Sequence, residues 1–600
     1  MTLHTRPPSF PCAGPASFAA TDHGKYDGGA ALQGATLDLN FLLATSALIG
    51  AATSVGPTLT FTRASNAMVW NEGGELQYAP HQLLENANFH GASAGVPPAT
   101  DAAPSGWTKS VVAGSVGLNY TDQGNYFSME LVGTGGYRGD VENVITVPEA
   151  NSIYTFGFYL DITDSGTLTA SDDVAEVVDF GAPAVVELPF SAYSIPGFYA
   201  LVVEVDADVA GKFRLGGQTD TTEDWTAEFS RPFVVKGDVY NLGADNVGGP
   251  FTAEPLGLWV GTDDGDEPKY DHPRFDHDPA ASNAALGLLI EEARTNNQLH
   301  SDDWTNAAYT ATNITAAKDA TGPDGVANSA STLTADANNG DIIQTITLGS
   351  AEYTTSVFMK RKTGTGTVEI TDNDFTNATD ITADINSSTW TQVGNITRTQ
   401  ANPVVGIRLG TSGDEVEVAL GQCEAGAFMS SGIPTTTAAV TRAADVCSAS
   451  DMSWYNDNEG TLFAQGRVPI LYTAASYIVF AGASGSNNCN IQRISTSTLR
   501  HEHNTSTGND GRSNIAAALS AETVFKSAVR IANDDLNAAV DGSAGAADTS
   551  CTVPASTLIS TGSLVIGNDL SGNEWNGHVQ VIKYWGTPYT DTQLEGETAL

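Results

Sequence analysis

From about residue 58 onward the chain repeats one device. Five to eight residues alternate apolar and polar side chains, and a cluster of Gly, Asp, Asn or Pro then ends the run. "TLTFTRASNAMVW" (58–70), "SIYTFGFYLDI" (152–162), "AEYTTSVFMKRK" (351–362), "EVEVALGQCEAG" (415–426) and "GHVQVIKYW" (577–585) all obey it. Successive side chains of an extended strand point to opposite faces, so this period of two describes strands with one face buried. Many short strands with turns between them stack as β-sandwiches. The Glu/Lys pairs four residues apart that mark surface helices are scarce. The expected fold is therefore all-β: tandem β-sandwiches, two of jelly-roll type and a third after them, with an extended N-terminal arm. A helix is expected only at "TDTQLEGETAL" (590–600), which a Thr/Asp pair opens as a cap.

Six hundred residues allow several domains, at about 150 residues each. Residues 1–35 are rich in Pro, Gly and Ala and read as an extended docking arm. Residues 36–81 read as a short β module with a Gly-Gly hairpin in "NEGGELQYAP". Residues 82–250 and 298–430 share a pattern: an N-terminal strand, an early Trp-Thr, a central aromatic strand and a closing alternating strand. Each is expected to be a jelly roll. Residues 251–297 read as a joint segment, 431–450 as a Pro/Thr-rich linker and 451–600 as the third sandwich.

Composition narrows the partners. Twenty-six Lys and Arg stand against 70 Asp and Glu, a net charge of −44. Such a chain repels phosphate backbones and anionic lipid, so neither nucleic-acid binding nor membrane insertion is expected. The stretch "FLLATSALIGAATSVG" (41–56) is diluted by Ser, Thr and Gly and reads as two strands around a loop. The five cysteines, Cys12, Cys423, Cys447, Cys489 and Cys551, form neither a disulfide framework nor a zinc spacing and read as half-buried thiols.

The densest chemistry lies in "HPRFDHDPAASNAALGLLIEEARTN" (272–296). Glu291 and Glu292 are adjacent, so on a strand they point apart and cannot act together as a glycosidase pair. Asp276 and Asp278 alternate across His277 and would share a face, where oxygen ligands could hold Ca²⁺. A rigid polar joint stiffened by Pro273 and Pro279 is the preferred reading, and no cofactor is expected beyond that one candidate cation. His501 and His503 would put two imidazoles on one face of a strand, read as an ordinary exposed strand rather than a metal pair. No nucleophile elbow, P-loop or HExxH string occurs.

Four strings carry a family resemblance: "FTRAS" (61–65), "PRFDHDP" (273–279), "LGLLIEEARTN" (286–296) and "IPTTTAAVTRAADV" (433–446). They resemble strings of virion structural and fibre proteins of tailed, particularly marine, bacteriophages. The resemblance implies carbohydrate-binding-module-like jelly rolls and a C-terminal concanavalin-like (laminin-G-like) domain, to which "SLVIGNDLSGNEWNGHVQVIKYWGTPYTDTQL" is similar. In that family the first two strings sit in one short module, whereas here a whole sandwich separates them and looks like an insertion. The implied function is a non-enzymatic tail or head fibre subunit on the virion. Its arm would dock on other virion proteins, it would be a homo-oligomer of trimeric type, and it would bind host-surface polysaccharide. A capsid-surface decoration protein and a polysaccharide-degrading enzyme with accessory lectin domains are the alternatives. Sugars are held by aromatic faces and by Asn, Asp or Gln, which singles out Trp575, Asn576, Asn573, Trp454 and Tyr455.

Overall fold

The computed structural model describes residues 35–42, most of 53–79, and 106–251 and 273–600 with short interruptions. The expected N-terminal arm lies outside the described residues. The chain forms two compact units. Among the described residues one takes in 106–251 and the other joins 35–42 and 53–79 to 273–600, so the first unit interrupts the sequence of the second. Both are built from antiparallel sheets, and the all-β sandwich class holds.

In the first unit the strands from Trp107–Asp122 to Asn246–Phe251 pair into one continuous nine-stranded sheet rather than two separate ones. Its core is aromatic: Phe213 lies 5.5 Å from Phe156 and 5.9 Å from Phe158, and Phe158 lies 5.7 Å from Phe229.

The second unit holds two sandwiches. In the first, strands at Ile314–Ala320, Ala330–Ala335, Ala351–Thr363, Thr391–Gln400 and Glu415–Ala425 share a sheet with Arg294–Asn296 and Val440–Arg442. A five-stranded sheet centred on Gly340–Thr345 and Val404–Leu409 faces it. Trp304, Leu333, Ile342, Met359, Ile370, Ile407 and Val418 fill the space between.

The last sandwich takes its strands from the alternating runs after Trp454: Gly460–Arg467, Ser476–Ser484, Asn487–Ser495, Thr498–Asn504, Val524–Ala532, Asp535–Val540, Ser563–Ile566 and Gly577–Trp585. Distant segments complete it. Leu37–Asn40 and Ala284–Ile290 lie end to end along one edge of Gly577–Trp585, while Thr60–Thr62 and Val446–Ala449 extend the other sheet. Residues 36–81 and 273–290 thus contribute strands to this sandwich rather than standing as a separate module and a bare joint. Pairing between residues more than 500 positions apart has no local signature in the sequence, which is why the period-two pattern shows the strands but not their partners. Gly287 sits at a bulge in this edge with φ +106, where an added Cβ would lie 2.6 Å from the Val579 carbonyl oxygen. Only glycine fits. The helix forms at Asp591–Thr598, closed by a capping box between Thr590 and Gln593.

Candidate functional site

The four strings of the resemblance meet at one place. Arg63, Arg274, Glu291, Arg442 and Asp445 form a buried ionic knot in which every side chain is at most 8% exposed. Arg274 donates to Glu291 at 2.6 Å, to Ser431 Oγ at 2.7 Å and to Asp445. Arg63 donates to Asp445 and Arg442 to Glu291, each at 2.9 Å. Ser431 gives Glu291 its backbone N–H and its hydroxyl. Burial pushes the Glu291 carboxyl up, but Arg442, Arg274 and Ser431 outweigh it and hold the group well below the usual carboxylate range. Burial, together with neighbouring Arg274, pulls Arg63 down to about 10 despite Asp445. Beside the knot, Glu292 pairs with Arg294 at 2.7 Å and accepts from Asn576 at 3.1 Å. Each carboxylate oxygen is spent on a protein donor, so the knot serves as a fastening and not a reaction centre.

Asp276 and Asp278 do not form a cation site. Asp276 Oδ1 accepts from the backbone N–H of Trp70 at 3.0 Å, and its Oδ2 lies 2.8 Å from His578 Nε2. Asp278 caps the turn at Pro279–Ala281 through the Ala280 N–H. Sequence spacing sees a shared face but not the local donors that claim each carboxylate first. Among the described residues no group of three or more His, Cys, Asp or Glu side chains is placed to hold a metal ion.

Four of the five sugar candidates are corrected by their burial. Trp575 is 0% exposed and packs on Phe525 at 5.6 Å, while Trp454 meets Tyr584 edge-on at 5.3 Å and Tyr455 stacks on it at 4.9 Å in the same core. An aromatic face already covered by protein cannot take a sugar. Asn576 is buried as well; it accepts the Glu292 N–H at 2.8 Å and so belongs to the joint. Asn573 is exposed and held by Asp569. Its carbonyl accepts from Tyr477, which places it at the edge of a different feature.

That feature is a groove of about 650 Å³ on the outer face of the sheet containing Ser476–Ser484, Asn487–Ser495, Thr498–Asn504 and Gly511–Ala516. Period two sets its floor. Cys489, Ile491, Leu499 and His501 point into the core, so Asn488, Asn490, Gln492, Arg500, Glu502 and Asn504 point out. A register shift between Tyr477 and Val479 sends Ile478 and Val479 both inward and brings Tyr477 and Phe480 onto the outer face. Cross-strand register then lines up the row Tyr477, Gln492, Arg500, Asn514 and the row Phe480, Asn490, Glu502, Arg512. The rows are about 7 Å apart and their members about 5 Å apart.

The floor is ordered by its own hydrogen bonds. Asn490 donates to Asn488 at 2.6 Å, Gln492 to Glu502 at 2.8 Å and Arg512 to Glu502 at 2.6 Å, with Arg500 Nη1 3.5 Å from Glu502. Arg500 also donates to Asn514 at 3.1 Å, and Asn504 to Asn488 at 3.2 Å. Tyr477 is half-buried at the wall; burial, with Asp569 and Glu502 nearby, raises its phenol above the ordinary range. Asn488, Asn490, Gln492 and Glu502 line the base of the groove, each at most 5% exposed, beside the half-buried Tyr477 ring.

The histidines flanking Glu502 are on one face, as their spacing requires, but it is the core face. His501 and His503 are 0% and 1% exposed, not on an exposed strand, and burial lowers both to about 4. His501 Nε2 meets Ser527 Oγ of the opposite sheet at 2.5 Å. The groove was missed because polar alternate positions are the ordinary mark of a solvated face. The signal available was their kind: Asn-x-Asn-x-Gln on one strand facing Arg-x-Glu-x-Asn on the next, amides where Thr and Lys are commoner.

No protein-family model matches the chain, and no curated protein does. Solved structures similar in part include the CBM40 of Ruminococcus gnavus IT-sialidase bound to α2,3-sialyllactose (14% identity, 24% of this chain and 83% of that one, TM-score 0.22). Another is the CBM22 tandem domain from Paenibacillus barcinonensis Xyn10C (9%, 61% and 100%, TM-score 0.18). A third is Trypanosoma rangeli sialidase with a difluoro-KDN ligand (8%, 80% and 92%, TM-score 0.21). Scores this low carry no functional weight.

Proposed function

We propose that this chain is a non-enzymatic attachment subunit of a tailed-phage virion, a tail or head fibre protein, and that it holds host-surface glycan in the groove of its C-terminal sandwich. The observation that carries the binding role is the pre-ordered floor of Asn488, Asn490, Gln492, Glu502 and Arg512 beside the half-buried ring of Tyr477. Sugar hydroxyls are matched by such amides, and a pyranose face by such a ring. Glu502 is engaged by Arg512, Arg500 and Gln492, which suits a positioning role better than proton transfer. The virion assignment rests on the four strings and on their meeting in the buried knot. Docking through the N-terminal arm and a homotrimeric assembly belong to the same proposal, as does virion localisation.

Two measurements test it. The full chain is applied to a glycan array and to host cells, alongside Tyr477→Ala and Asn490→Ala. Loss of the ring is expected to weaken binding roughly fivefold, the equivalent of about 1 kcal/mol of stacking. Retention unchanged in both variants, or no retention of any glycan, refutes the groove. Immunogold electron microscopy of intact particles should label an appendage; unlabelled particles refute the virion role. Release of reducing ends from host polysaccharide would instead favour the enzyme.

A further inference from the structure

Resting on the groove as a glycan site, we infer that its ligand is a neutral saccharide rather than a sialylated, uronic or sulfated one. The charges that line the groove are Arg500 and Arg512 against Glu502, Asp510 and Asp569, two guanidinium groups against three carboxylates. Both guanidinium groups are already paired with Glu502. Arg512 Nε is committed to Glu502 at 2.6 Å; Arg500 is shared between Glu502 at 3.5 Å and Asn514 at 3.1 Å.

Glu502 is central to the argument. It is 5% exposed, and its carboxylate oxygens are taken by Arg512 and Gln492. A ligand carboxylate or sulfate placed over this floor would have to share its arginine with a buried carboxylate, weakening that pair. It would also meet Asp510 and Asp569 at the rim. Asp510 is held there by the Thr505 N–H at 2.9 Å, and Asp569 by the Ser571 N–H at 2.7 Å. Like-charge contact of this kind discriminates between partners more sharply than attraction does. Neutral hydroxyls face no such barrier, and the floor's amides can both donate to them and accept from them.

The test is calorimetric titration of the full chain with neutral oligosaccharides and, in parallel, with sialyllactose, an oligouronate and a sulfated oligosaccharide, at 0.05 and 0.5 M NaCl. The expected result is binding to a neutral member that changes less than twofold with salt, and at least tenfold weaker binding of every anionic one. Glu502→Gln releases both arginines and is expected to raise affinity for the anionic set by tenfold or more while making it salt-sensitive. Preference of the unaltered chain for an anionic glycan, abolished by Asn490→Ala, overturns the neutral assignment and leaves the groove reading intact. Binding of neither class, or neutral binding indifferent to Asn490→Ala, overturns the groove reading and this inference with it.

Discussion

Removing charge from the buried knot should show an asymmetry that its geometry dictates. Three guanidinium groups, Arg63, Arg274 and Arg442, share two carboxylates, Glu291 and Asp445, so the knot carries one net positive charge. Arg274→Met removes the excess. Afterwards Asp445 keeps Arg63 at 2.9 Å and the Glu291 N–H at 2.9 Å, while Glu291 keeps Arg442 and both Ser431 donors. No carboxylate is orphaned, and the cost should be on the order of 1–2 kcal/mol. Glu291→Gln keeps the shape but leaves three cations on one carboxylate. Its new amide N–H₂ would face either the Ser431 N–H or Arg274 and Arg442, donors in both cases. Breaking a buried pair this way costs about 3–5 kcal/mol. A chain of several sandwiches does not unfold in one step, so the assay is urea-dependent hydrogen exchange read on peptides from Ala284–Ile290 and Gly577–Trp585, which border the knot. If Arg274→Met destabilises these strands as much as Glu291→Gln, the charge count is the wrong account of the knot.

Two further outcomes follow from buried positions. Gly287→Ala should destabilise the Ala284–Ile290 edge by more than 2 kcal/mol, since φ +106 is strained for any L side chain and the Cβ meets a backbone oxygen; an unchanged denaturation midpoint would contradict this. His501 and His503 are lowered in the fold to about 4 from an ordinary 6.5, so the unfolded chain binds more protons than the folded one below pH 6.5. Their stabilising contribution is full above that value and lost as pH falls toward 4, on the order of 2 kcal/mol each between pH 7 and 4.5. The urea midpoint should fall over that window and flatten in His501→Gln/His503→Gln; an equal fall in that variant would refute the assignment.

Period two made the strands after Trp454 and the capped helix legible because both signals are local: a side chain's face depends only on its neighbours in the chain. The partners of Leu37–Asn40 and of Ala284–Ile290 were not legible, since an edge strand carries no record of which edge it joins. The rim aromatics failed for a related reason. Trp575 follows a Gly/Asn turn, a context that suggests exposure, yet Phe525 and Arg493 from other strands cover it. The joint reading of 272–296 spans Arg274 and Glu291. It could not supply Arg63, Arg442 and Asp445, which arrive from more than 140 residues away on either side.

The knot and the groove place opposite demands on sequence, although both sit in one unit. In the knot the side chains compensate one another, so a change at one position is felt by its partners. In the groove, outward polar residues and core residues occupy alternate positions of the same strands. Replacing Asn490 or Gln492 leaves Cys489 and Ile491 untouched beneath them. The outward residues can therefore be varied without repacking, provided register holds. A slip of one residue in Thr498–Asn504 would drive Glu502 into the core and bring His501 and His503 to the surface. The contact between His501 and Ser527 across the two sheets resists that slip, so this buried imidazole helps fix which residues the groove presents.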